Sequence, residues 1–164
     1  MASDFFKRPS TLIANLHEFR HHLISKQSEV WENPSEKISW LSQLVVKILK
    51  QRHDPLAINN PNYQSAIWFL VAEVYWQAML LAKKDNDVSL QSFNFMQIME
   101  CIDWIDEIYL QQKNLDQEPD YSLIASFNSF GFSSTEKVRE SLIKYAIDSS
   151  ENIASKSQDI SFHL

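Results

Sequence analysis

The chain has 164 residues, 45% of them apolar, 22% charged and 12% aromatic, a balance that belongs to globular proteins and lies far from the disordered class. A formal net charge of −6 offers no basic field to a phosphate backbone, so nucleic acid is an unlikely partner by charge. The one glycine, Gly131, argues against hairpin-rich β folds and against glycine-rich phosphate loops, both of which need backbone free of a Cβ.

In chain order, the first predicted helix runs from Ser10 to about Ser25, with Leu12, Leu16, Phe19 and Leu23 at helical spacing and Ser10 or Thr11 available as cap. Asn33-Pro34-Ser35-Glu36 then reads as a helix start, where asparagine caps and proline suits the first turn. Ile38, Leu41, Val45, Ile48 and Leu49 form the apolar stripe of this second helix, widened by Trp40 and Leu44, and Pro55 closes it. Asn60-Pro61 repeats the cap-then-proline signal. The run that follows, over about 61–82, is apolar on nearly every side. A helix of that kind is normally surrounded by others, so it is expected at the centre. Glu73 and the glutamines beside it suit lipid poorly, which favours a buried helix over a membrane span.

After the polar break at 83–87, a fourth helix to about Gln112 sets Phe95, Ile98, Met99, Ile102, Ile105 and Tyr109 on one stripe. Residues 121–127 suit a short helix. Gly131 then turns the chain into Ser133-Ser134-Thr135-Glu136, a capping box before a last helix on Val138, Leu142, Tyr145 and Ala146. The expectation is therefore an all-α, single-domain antiparallel bundle of five to six helices over residues 1–150, with residues 151–164 as a frayed or disordered tail. The lone Cys101 cannot form an internal disulfide, and the N-terminus lacks the order of a signal peptide, so a cytoplasmic location is expected.

Glu73 is the only formally charged side chain in the central run and, if enclosed, needs a hydrogen bond, a counter-ion or a proton. Arg20 on the first helix and Arg52 at the end of the second are its candidate partners. Asp106 falls on the apolar side of the fourth helix and joins them as a buried-charge candidate. Together with Glu73 it could share a proton or a cation. Trp104 lies on the polar side of that helix among Glu100, Asp103 and Glu107. It is either a partner anchor or covered by a neighbouring helix. Phe130 and Phe132, around Gly131, pose the same choice and are candidate partner-binding residues. His17 and His21 have the spacing of a metal pair without a third ligand, Glu100-x-x-Asp103 is one four-residue element that identifies no family, and Cys101 reads as a packed thiol.

No nucleotide, cofactor or catalytic-triad signature occurs, so no cofactor is expected. The reading drawn is a non-enzymatic helical protein–protein interaction module, an adaptor, regulator or small subunit, whose partner is another protein or a second copy of itself. Two alternatives stand beside it. One is an enzyme with a carboxylate or metal site around Glu73, Asp106 and Tyr75. The other is a small helical subunit of a ribonucleoprotein, contacting RNA near Lys47, Lys50, Arg52 and His53, against which the acidic balance counts.

Overall fold

The computed structural model describes residues 11–27, 29, 33–128, 132 and 134–162, with backbone alone for 34 and 151–162. Phe130 lies outside the described residues. Every regular element among those described is helical. They are α1 (Thr11–Gln27), α2 (Pro34–Lys50), α3 (Pro55–Ile58), α4 (Pro61–Lys84), α5 (Val88–Asn114), α6 (Tyr121–Ser126) and α7 (Thr135–Phe162), with a single 3-10 turn, Gln51–His53, between α2 and α3. The backbone of α7 stays helical to Phe162, past Ser150, where the apolar periodicity fades.

Most helix starts are set by short polar side chains that accept from otherwise orphaned backbone N–H groups. Asn33 accepts from Ser35 N, Asp54 from Leu56 N, Asn60 from Asn62 N, Asp87 from Leu90 N and Asp120 from Leu123 N. Pro55 thus both ends the second predicted helix and opens α3, a four-residue turn that periodicity does not reveal. The ends of α4 and α5 show how a chain with one glycine stops its helices. Asn86 (φ 57°) and Asp116 (φ 56°) take the left-handed position that glycine usually fills. In both, the N–H of that residue and of the one after it turn back onto the last turn: Asn86 N to Lys83 O and Asp87 N to Ala82 O, then Asp116 N to Lys113 O and Gln117 N to Gln112 O.

The helix α4 is the centre of the bundle. Ala66, Ile67, Phe69, Leu70, Val71, Ala72, Val74, Met79 and Ala82 are all buried, and these residues occupy every side of the helix. Its length and hydropathy match those of a membrane-crossing segment, yet 67% of its apolar window is buried inside the protein. The most extensive packing is with antiparallel α5, then with α2, and α1, α3 and α6 also lie against it. Leu12, Leu16 and Leu23 of α1, Leu41, Leu44 and Ile48 of α2, Ile98, Ile102 and Ile105 of α5, Ile124 of α6, and Val138 and Leu142 of α7 complete one contiguous core.

Polar groups tie the ends of these helices together. Buried Lys37 donates from Nζ to the carbonyls of Gln27 (3.3 Å) and Glu29 (3.2 Å), satisfying acceptors left over at the C-terminus of α1. Desolvation holds its ammonium below the usual lysine range, against the opposing pull of Glu29. Asn62 Oδ1 accepts from Gln112 Nε2 (3.1 Å) and from Asp120 N (2.9 Å), joining the start of α4, the end of α5 and the start of α6. The C-terminal helix is held by an aromatic cluster in which Trp76 meets Phe132 and Tyr145 edge-on, with ring centroids 5.3 and 6.0 Å apart. Tyr145 also donates to Gln91, and Lys83 lies 5.0 Å over its ring.

The buried line of α5 is displaced from the predicted stripe. Asn94, Ile98, Cys101, Ile102, Ile105 and Gln112 face inward, whereas Met99 is 42% exposed and Tyr109 is only partly buried. Asn94 donates to the Leu90 carbonyl one turn back in α5 and Gln112 donates to Asn62 of α4, so each inward amide nitrogen has an acceptor.

Candidate functional site

The elements α2, α4 and α5 form a layer in which α4 is the middle helix and the other two flank it. Both flanking helices run antiparallel to α4. The 38–45 stretch of α2 and the 90–94 stretch of α5 line one small cleft with Val74, Tyr75 and Ala78. At the other end of the layer, Arg52 lies over Trp68 (5.0 Å to the ring centroid). Between them the α4 residues Gln64, Trp68, Val71, Tyr75 and Ala78 recur at helical spacing on the side of α4 between α2 and α5, a shallow groove in which Val71 and Ala78 are buried and Gln64, Trp68 and Tyr75 partly open. The side chains of Trp68 and Tyr75 are only partly covered, in contrast to the buried Phe69, Leu70, Val71, Ala72, Glu73 and Val74 between them.

The two walls present exposed apolar and aromatic side chains. On α2 this is Val46 (54% exposed), and on α5 it is Phe93 (53%) and Trp104 (48%). The ring of Trp104 stacks on Trp68 with centroids 5.7 Å apart and planes 6° from parallel, so one face is covered by α4 and the rest meets solvent. Arg52 is held against the same assembly, and its Nε donates to the Leu49 carbonyl (3.2 Å). Helical spacing puts exposed Glu100 and Glu107 on the α5 wall beside Trp104, and exposed Lys50 at the end of α2 and His53 in the following 3-10 turn flank Arg52. Burial raises the Tyr75 hydroxyl pKa, with the neighbouring Cys101 and Glu100 adding to the effect.

The sequence-predicted residues differ in their surroundings. Glu73 is fully buried, on the side of α4 opposite Trp68 and Tyr75. Arg20 donates to the Ser126 carbonyl at the end of α6 (3.3 Å), and Arg52 is engaged with Trp68 and Leu49. Asp106 is not a buried charge: its side chain is 42% exposed and pairs with Arg139 of α7. Its place on the helical wheel faces α7 rather than α4, and α7 meets it there with a cation. Phe132 is likewise an interior residue, 4% exposed and closed over by the edge-on Trp76, so it belongs to the packing of α7 and not to a free surface. Trp104 alone of the partner-binding candidates among the described residues stands on an open face.

Among the described residues no group of three or more histidine, cysteine, aspartate or glutamate side chains converges in the manner of a metal site. His17 stacks on Phe127 (4.7 Å between centroids), and His22 rather than His21 approaches Glu18 (3.8 Å). Buried Cys101 has its thiol pKa pushed up, first by desolvation and then by Glu100, which keeps it protonated and unreactive.

Val46 and Phe93 were not singled out by the sequence reading. A signal for them exists, because each is a large apolar residue off the core stripe of an amphipathic helix, which is where an exposed contact residue would stand. No family model, curated protein or solved structure matches this chain.

Proposed function

We propose that the domain is a non-enzymatic helical interaction module, working in the cytoplasm, whose α2–α4–α5 face receives another polypeptide. One observation carries this reading: the central helix is buried by the chain's own helices over residues 65–74 except at Trp68, and Trp68 and Tyr75 stay partly open between α2 and α5, which expose Val46, Phe93 and Trp104. Soluble proteins seldom leave apolar residues grouped around a groove unless something docks there. Helix-in-groove and helix-on-helix recognition both use faces of this kind, with aromatic side chains as anchors.

A photo-reactive phenylalanine analogue placed at Phe93 tests it, with the same analogue at exposed Glu140 on α7 as the control. The reading expects adducts to a polypeptide, whether foreign or a second copy, from position 93 and none from position 140. Equal labelling from both positions, or none from position 93 in cells, would sink it.

A further inference from the structure

Resting on that reading, we propose that the occupant of the α2–α4–α5 face is a second copy of this chain, bound about a two-fold axis that runs parallel to the three helices. The reason lies in the placement of charge. The end of α2 and the 3-10 turn that follows it carry Lys50, Arg52 and His53, and the α5 wall carries Glu100 and Glu107. Arg52 lies over Trp68 and Trp104 stacks on that same ring, so the basic end of α2 is level with the acidic stretch of α5 on the opposite side of the groove. Among the described residues Lys50, Glu100 and Glu107 take part in no ion pair within the chain.

A partner bearing charge of one sign would be attracted by one wall and repelled by the other. A two-fold axis along the helices resolves both walls at once, because it lays each copy's α2 over the other copy's α5 without changing their level. Each basic wall then faces an acidic wall, twice over, as an isologous interface requires. The apolar residues agree with this register. Both walls run in the same direction, with residues 38–45 of α2 beside 90–94 of α5 and Arg52 level with Trp104. Val46 therefore comes to lie between Phe93 and Trp104 of the second copy.

The area is adequate. A helix of 17 residues at about 1.5 Å per residue makes the face about 25 Å long, and three helices roughly 9 Å apart make it about 28 Å wide. The resulting face of about 700 Å² per copy approaches the roughly 800 Å² per partner of a standard stable interface.

Sedimentation velocity over a wide concentration range, with the wild-type chain, Lys50→Glu, Glu107→Lys and an equimolar mixture of the two variants, tests this. The wild type is expected to dimerise. Each variant alone creates two like-charge contacts and is expected to dimerise about tenfold or more weakly. The mixture is expected to recover wild-type association, because both contacts then join opposite charges. That recovery also shows that the variants are folded. A wild type that stays monomeric overturns the self-association, and so does a dimer that neither substitution weakens or that the mixture fails to restore. A monomer that still gives foreign adducts from position 93 separates the loss of this inference from loss of the interaction reading itself.

Discussion

Replacing Trp104 with alanine should remove a contact made of two separable parts. About half of the side chain is covered, since it is 48% exposed. Covering roughly 100 Å² of a tryptophan at about 25 cal/mol per Å² stabilises the fold by about 2.5 kcal/mol as an upper bound. Nearly parallel stacking on Trp68 adds about 1 kcal/mol that depends on the partner ring being present. The expected loss for Trp104→Ala is therefore about 2–3 kcal/mol, a substantial share of the stability of a domain this size. Urea unfolding followed by circular dichroism, on Trp68→Ala, Trp104→Ala and the double variant, isolates the stacking part as the non-additive remainder. A coupling of about 1 kcal/mol agrees with the geometry. Strict additivity would refute the stack, and a loss above about 4 kcal/mol from Trp104→Ala alone would mean that the ring is enclosed and the face does not exist as described.

Asn62→Ala leaves the Gln112 amide and the Asp120 N–H without their acceptor, so it should cost about 2 kcal/mol by the same unfolding assay, far more than an exposed asparagine would. Lys37→Met keeps the buried stem but strips two donors from the carbonyls at the end of α1. A loss of about 1–2 kcal/mol is expected, accompanied by faster hydrogen exchange in the last turn of α1. Tyr109 has its pKa raised from 10.0 to about 12, first by burial and then by Tyr121 and Asp106. Its contribution is thus fully present below pH 10 and is lost as pH rises from 10 towards 12. Over that window the wild type should lose stability more steeply than Tyr109→Phe, and indistinguishable pH profiles would contradict the assignment.

The architecture was readable where polar punctuation and apolar period agree. Asn33-Pro34 and Asn60-Pro61 mark the starts of α2 and α4, and the apolar run after Asn60 marks the helix that sits at the centre. Reading failed where a polar residue occupies an inward position. Asn94 and Gln112 hide the true buried line of α5, because the amide nitrogen of each donates to an oxygen that hydrophobicity does not register. That displacement is also why Asp106 was counted among the buried charges although it meets Arg139 at the edge of α7. Trp104 could be recognised as out of place on a polar face, but its stack on Trp68 depends on the register between α4 and α5, which neither helix encodes alone. Phe132 was undecidable from its neighbours in the chain, since the residue that encloses it, Trp76, stands on a distant helix.

The claim on which the rest depends is that α4 is enclosed over residues 65–74 and at Met79, with Trp68 and Tyr75 partly open between α2 and α5. Hydroxyl-radical footprinting of the dilute protein, resolved to single residues by mass spectrometry, measures this directly. Met96 of α5 is 60% exposed, and Met79 and Phe69 of α4 are 0% and 1% exposed. Met96 and Trp104 should oxidise quickly, Trp68 and Tyr75 more slowly, and Met79 and Phe69 last. Oxidation of Met79 at the rate of Met96, with the protein still folded, would contradict the enclosure of α4.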